Sequence, residues 1–487
     1  MSFLKNISGG VILSLALFVM LLIVVFTNYA GSTDVADYSH VAKFFAGKYQ
    51  AKIRSSHSYF YGFLSFPFVK ITESFLGMKF ISFVWLVLII LSLFLISKKN
   101  KKSLLLIISA PIFWYMAPWI SPIQISALLF LWGYYFIRKY DEKKDKNIRY
   151  LIYSGLFVGL SWVFWDTMLY FGVILTLVFL LNKKFYHFTI YLFFILVGLS
   201  PRLILDQILF NFPFFTILKS FMGGLVNSLW GGISGTSGHS SSNVFNILIV
   251  LIMLPVYSFL LLKLKYFRTN KKTVIFLILS LFLILLNPQI RYTLILTPII
   301  LLNLFDNLTE RQFKIQVVIS LVLSLLVITP YLIQINYETN GEDINLFVKN
   351  INSLELSETF TDNLLEEDLI MISKDFPNEK FVVGNKDDSY LILADVYWGS
   401  GIDEFVSIQD YRLFLEGDEI IFEKEFHPKP NINNRREIWI KGGLSRNTVN
   451  DKNLSSVKYA ISDERQIDLN GFELVKSYNK LNVFKKR

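Results

Sequence analysis

Gly31-Ser32-Thr33-Asp34-Val35-Ala36-Asp37-Tyr38-Ser39-His40 stands directly behind the apolar run of residues 10–28, and the reading of that junction decides the fold. The run is long enough to cross a bilayer, so its polar end emerges at a membrane face rather than inside a soluble core. Asn28-Tyr29-Ala30 makes a poor cleavage site, so the run reads as an uncleaved anchor. Two carboxylates three residues apart at such a face lie where burial and neighbouring charge readily change proton affinity. A plainer reading stands beside this one: Asp34 caps a helix over roughly residues 35–46, with Asp37 in its first turn favoured by the helix dipole.

Composition carries the membrane reading to the rest of the chain. At 53% hydrophobic and 16% aromatic residues, a chain of 487 residues holds more apolar surface than a soluble protein can bury. The net charge of +10 comes from Lys and Arg in short clusters between apolar runs. That is the pattern of cytoplasmic loops, and nucleic acid is excluded as a partner. Zero cysteine excludes disulfides, thiolate catalysis and Cys-ligated zinc.

Topology follows from one ambiguous segment. Residues 59–75 are apolar and aromatic but carry Pro67, Lys70 and Glu73. Were they to cross, Lys98-Lys99-Asn100-Lys101-Lys102 would fall outside the cytoplasm, so they are expected to lie in the interface as an amphipathic helix. Spans are then expected at 79–97, 103–119, 121–137, 150–166, 168–182, 186–204, 244–262, 272–288, 290–306 and 314–335, about eleven with the first. The N-terminus and the basic loops 98–102, 138–149, 183–184 and 263–272 become cytoplasmic. The other side holds the first loop (29–78), the turns at Ser121-Pro122 and Asp166-Thr167, a long loop over 205–243, and Asn287-Pro288-Gln289. The Gly/Ser-rich half of that long loop, which contains His239, reads either as a lid or as a plain linker.

Residues 1–336 therefore form a polytopic α-helical transmembrane domain, and 337–487 a soluble α/β domain outside the cytoplasm. In the latter, helices are expected over 355–376 and 387–397, and strands at 380–383, 405–408, 419–422, 437–440, 457–461 and 481–484.

The order Asp34, Tyr38, Ala42, Ala46, Gly47, Tyr49, followed by His57-Ser58-Tyr59-Phe60-Tyr61, the Gly77 turn and a span ending in lysines, resembles the GT-C superfamily of membrane glycosyltransferases, including protein mannosyltransferases and aminoarabinose transferases. The likeness is clearest over the first hundred residues. It implies a GT-C-like fold and transfer of a sugar from a polyprenyl-phosphate or polyprenyl-diphosphate lipid to a protein, glycan or lipid acceptor on the non-cytoplasmic face, in a cell membrane or an ER-type membrane. The family's acidic residue falls on Asp34 by its spacing to Tyr38, with Asp37 as competitor, and its interfacial histidine falls on His57. Ser58-Tyr59 replaces the usual double proline there, and the adjacent acidic pairs of some members are absent.

Such a transfer needs a base for the acceptor proton and cations for the leaving phosphate. Asp34 is the candidate base, assisted by Asp37. The same two oxygen ligands would suit magnesium or manganese if a metal binds. Arg291, followed by Tyr292, is the leading candidate to clamp the lipid phosphate, against the reading of a snorkelling interfacial arginine. Arg202 is a second candidate, though Asp206 four residues on offers it a simple partner. Asp166 is expected near acceptor or metal, and Tyr38, His57 and His239 complete the expected substrate contacts. A transporter or flippase, or a scaffold with an external binding domain, is the alternative, against which stand the absence of an inverted repeat and the gathering of polar residues on one face.

Overall fold

The computed structural model describes residues 8–27, 29–31, 38, 41–42, 44–47, 58–72, 74–98, 100–142, 147–181, 183–210, 212–217, 244–255, 271–286, 288–305, 307–336, 359–360, 368, 371–372, 375–376, 381–383, 411–416, 419–424, 458–462, 471–479 and 481–487. In chain order the elements are α1 (Gly9–Phe26), β1 (Tyr29–Gly31), α2 (Tyr59–Ile71), α3 (Ser74–Ile96), α4 (Lys101–Ile108), α5 (Pro111–Tyr115), α6 (Ile123–Glu142), α7 (Ile148–Phe164), α8 (Met168–Leu180), α9 (Phe185–Phe210), α10 (Val244–Met253), α11 (Lys271–Leu286), a 3-10 turn (Ile290–Tyr292), α12 (Thr293–Leu304) and α13 (Glu310–Asn336). The strands β2 (Thr359–Phe360), β3 (Phe381–Val383), β4 (Tyr411–Glu416), β5 (Glu419–Lys424), β6 (Tyr459–Ser462), β7 (Phe472–Ser477) and β8 (Asn482–Lys486) follow.

Among the described residues, Gly9–Phe26, Leu76–Ile96, Phe185–Leu209 and Glu310–Thr329 are long and apolar enough to cross a membrane, and Ile148–Phe164, Met168–Leu180 and Ile290–Leu304 are shorter apolar helices. Small polar residues start several of the helices. Ser8, Ser58, Asn100 and Asn147 each accept a backbone N–H of the first turn that has no partner inside the helix. The run expected as one span at 103–119 is broken instead: Ala110 is extended ahead of Pro111, so α4 stops and the short α5 begins.

The chain divides into two compact units, one of Met1–Thr27, Lys79–Arg202 and Ser242–Leu354, the other of Asn28–Met78, Leu203–Ser241 and Glu355–Arg487.

In the first unit α6 and α7 form an antiparallel hairpin, close enough for the Ser154 hydroxyl to donate to the Gly133 carbonyl at 2.7 Å. Its basic loops collect at one end. There Lys102 pairs with Glu310, and Arg138 donates to Glu142 Oε1 (2.6 Å) and Asn303 Oδ1 (3.1 Å). Asp141 Oδ1 accepts from both Lys183 and Lys272 at 2.7 Å. Burial would raise the Asp141 carboxyl, but the two ammonium groups hold it below the usual carboxylate range. Beneath them Asn303 donates to the Tyr134 hydroxyl (3.2 Å), which lies 3.0 Å from that of Thr273, tying α6, α11 and α12 together.

The second unit joins the segment after α1 to the C-terminal region. Tyr29–Gly31 pairs antiparallel with Thr359–Phe360, so the start of the Asp34-bearing loop and the C-terminal region share one side of the membrane. The helix expected over 355–376 is corrected here: Thr359 and Phe360, good strand formers, take the pairing, and the described helical residues are 368, 371–372 and 375. A four-stranded sheet has the order β3-β6-β8-β7, parallel between β3 and β6 and antiparallel elsewhere. Buried Asp368 accepts from the Asn479 and Leu481 backbone N–H groups (3.1 and 2.9 Å) and from Asn479 Nδ2, fixing the turn between β7 and β8. The helix expected at 387–397 and the strands expected at 405–408 and 437–440 lie outside the described residues.

Candidate functional site

The end of the first unit away from the basic loops holds its unusual charges. Lys79 stands in the opening turns of α3, 2% exposed, and its ammonium donates to the Thr27 carbonyl at 2.6 Å. Thr27 caps the C-terminus of α1, whose end carbonyls have no helical partner and carry the negative end of the dipole. One carbonyl meets one of three ammonium donors, and among the described residues no carboxylate reaches Lys79. An enclosed cation without a counter-charge is costly, and the arrangement suits an anionic ligand.

At the same end, Arg202 of α9 lies wholly inside. Its Nη1 donates to Asp166 Oδ1 at 2.6 Å and to the Trp162 carbonyl at 3.2 Å. Trp162 is in the last turn of α7, so the guanidinium caps that helix and holds the carboxylate just beyond it. The partner is Asp166, not Asp206: the Asp206 carboxylate is turned onto Thr216, accepting from its N–H (2.9 Å) and its hydroxyl (2.7 Å). The Asp166 side chain is 22% exposed against 1% for Arg202, so the acid faces outward and the arginine supports it from behind. Next to Asp166, Trp165 packs on Tyr292 with ring centroids 5.1 Å apart. Arg291 lies 5.6 Å from the Tyr292 ring and donates from Nε to Gln289 Oε1 at 2.7 Å. Asp166, Arg202, Arg291 and Tyr292, expected separately, are thus linked through one indole ring, one phenol ring and one ion pair.

In the second unit the residues after the Asp34 stretch are helical at Tyr38, Val41, Ala42, Phe44 and Phe45, and Gly47 ends the helix with φ 73°, a conformation glycine adopts without strain. Tyr38 is buried edge-on against Tyr61 at 5.5 Å. Val41 packs with Tyr59 and Leu205, and a side chain at Gly62 would collide with Val41. Asp34, Asp37, His57 and His239 lie outside the described residues. Among the described residues no three His, Asp or Glu side chains group as metal ligands.

Lys79 is the residue that the sequence reading passed over. Its signal was a lone lysine at the start of an otherwise apolar span.

No family model matches the chain, and no curated protein matches it in sequence. Among solved structures it resembles ArnT from Cupriavidus metallidurans bound to undecaprenyl phosphate, with a TM-score of 0.52 and 10% identity over 97% of each chain. The apo state of the same protein gives 0.51 and 10%, covering 97% of this chain and 96% of that one. The chain shares the overall fold of these ArnT structures, and its long apolar helices make it an integral membrane protein.

Proposed function

We propose, with the GT-C fold as premise, that this protein moves a sugar from a polyprenyl-phosphate-type lipid to an acceptor on the non-cytoplasmic face of its membrane. The observation that carries the reading is the enclosed Lys79 ammonium, met by a neutral carbonyl at the end of the bundle away from the basic loops. A phosphate monoester or diester supplies the negative charge such a site is built for. The ArnT structure with undecaprenyl phosphate supports a lipid phosphate in that role.

In this mechanism Asp34, with Asp37 as its alternate, takes the proton of the acceptor hydroxyl or amide as that atom bonds to the anomeric carbon. The bond from the anomeric carbon to the phosphate oxygen breaks, and its electron pair stays on the phosphate. Lys79 and Arg291 stabilise the charge that develops there. Asp166, held by Arg202, orients the acceptor, and Trp165 with Tyr292 offers an aromatic face to a sugar ring. Tyr38, His57 and His239 are retained as contacts from the loops. Residues 337–487 are assigned as a domain on the acceptor side, since β2 pairs with the strand that leads into the Asp34 loop.

The test is transfer by purified protein in proteoliposomes from a polyprenyl-phosphate sugar to a hydroxyl acceptor. Wild type is expected to turn over, and Asp34→Asn to lose roughly 100- to 10,000-fold in rate while inserting normally. Undiminished transfer by Asp34→Asn and by Asp37→Asn would remove the carboxylate base from the mechanism.

A further inference from the structure

The helices α7 and α9 touch backbone to backbone. A Cβ added to Gly155 would stand 2.7 Å from the Tyr191 carbonyl oxygen; one at Gly159 would overlap the Ile195 carbonyl, and one at Gly198 the Leu156 carbonyl. Between apolar helices in a bilayer there is no hydrophobic force to set the spacing, so contacts of this kind set it. The contact stops where the ion pair begins. Arg202 follows Gly198 by one turn, Trp162 follows Gly159 by about one turn, and Asp166 lies one turn further on. Between Gly198 and Arg202, Pro201 has no N–H for the Val197 carbonyl, and the Ser200 hydroxyl donates to it instead at 2.7 Å. The turn that carries Arg202 is therefore held by a side chain rather than by the regular ladder.

We propose that the glycine contact sets the separation at which Arg202 meets Asp166, making Gly159 and Gly198 positioning residues of the site; this rests on the functional reading above. The Arg202 Nη1 to Asp166 Oδ1 distance is 2.6 Å, and hydrogen bonds weaken beyond about 3.2 Å, so a displacement of about 1 Å breaks the pair. Making room for a single methyl group between the two backbones demands a shift of that size. Arg202 is fully enclosed, and its guanidinium is also tied to the Trp162 carbonyl at 3.2 Å. A contact that only holds helices together affects stability at all three glycines alike. A positioning contact affects transfer only at the two glycines nearest the pair.

The experiment is a pair of double-mutant cycles on the full-length protein. Gly198→Ala is expected to lower kcat by about 10- to 100-fold with the donor KM within about twofold. In an Asp166→Asn background the same substitution should cost nothing further. Gly155→Ala should lower the melting temperature and transfer like wild type. Equal losses from Gly198→Ala in both backgrounds, or a kcat loss at Gly155→Ala matching that at Gly198→Ala, would overturn the proposal. The second cycle reads melting in detergent and needs no transfer assay: Gly198→Ala should cost less in an Arg202→Met background, where there is no pair left to disturb. An additive melting cycle overturns the linkage between contact and pair. A coupled melting cycle in a wild type that moves no sugar keeps the linkage and overturns the glycosyl-transfer reading instead. Should Gly198→Ala fail to accumulate, Pro201→Ala, which restores the missing N–H and redirects the Arg202 turn without adding bulk at the contact, is expected to couple to Asp166→Asn in the same way, and its additivity would count against the proposal equally.

Discussion

At the basic end of the helical unit Asp141 takes two lysines on one oxygen and Arg138 is met by Glu142 and Asn303, whereas at the opposite end the enclosed ammonium of Lys79 is met by the carbonyl of Thr27. The two ends differ in depth as well as in pairing: the side chains of Lys272, Asp141 and Arg138 are partly exposed, and Lys79 is enclosed. Charges answered by opposite charges cost little to hold and do little beyond holding helix ends together. A cation answered by a dipole alone is expensive unless something else arrives. The contrast sets Lys79 apart from the paired charges of the basic end without reference to any motif.

The sharpest way to break that contrast is Lys79→Met. If Lys79 serves a lipid phosphate, this substitution raises the donor KM by roughly 10- to 100-fold, the worth of a hydrogen bond to a charged group. It should also leave the melting temperature unchanged or higher, because an enclosed charge with no carboxylate partner among the described residues is replaced by an apolar chain. A lower melting temperature with unchanged kinetics would make Lys79 merely the cap of α1. Arg291→Ala sharpens the same side: an increase in donor KM of about tenfold is expected from loss of one charge-assisted contact, and unchanged donor kinetics would give Arg291 a structural role beside Tyr292 and Gln289.

Asp141→Asn probes the other side. It should lower the melting temperature by about 2–4 °C and leave transfer untouched. The Asp141 carboxyl titrates below its ordinary value in the folded protein, so its contribution is complete above about pH 4 and is lost as the pH falls through the lowered value. Melting curves of wild type and Asp141→Asn should therefore converge in acid and separate toward neutrality. Divergence in acid would reverse the assignment. The smallest effect is expected at Asp375, exposed in the second unit, which accepts from Lys476 Nζ and the Tyr478 hydroxyl at 2.6 Å and is held below its usual range by those two bonds. Asp375→Asn should change melting by less than about 1 °C, since exposed pairs contribute about 0–1 kcal/mol.

Much of this contrast was legible before any coordinates. The clusters at Arg138, Lys183 and Lys272 belong to loops expected on one side, and they meet at one end because positive charge in loops is an insertion signal that alternates with the spans. The helix expected over roughly 35–46 ends at Gly47. Arg202 was offered Asp206 because four residues along a helix is the distance a sequence displays. Its actual partner, 36 residues away, depends on how two helices cross. Lys79 was absorbed into the edge of a span, where hydropathy averages hide a single charge. The break at Pro111 was visible in the residues, but an apolar run of span length outweighed one proline. Strand β7 was missed because its membership comes from pairing with β8 across a turn held by Asp368, a contact between residues 111 or more positions apart.

The two-stranded pairing of Tyr29–Gly31 with Thr359–Phe360 has a consequence for biosynthesis. The partner of the first loop is made 330 residues after it. At roughly 5–20 residues per second, the ribosome needs about 16–66 s to cover that interval. Through that time the Asp34 loop has already left the first helix with its strand edge unpaired, and a nascent chain cannot complete it. Late closure of this kind leaves the edge of Tyr29–Gly31 without this partner until Thr359–Phe360 has emerged.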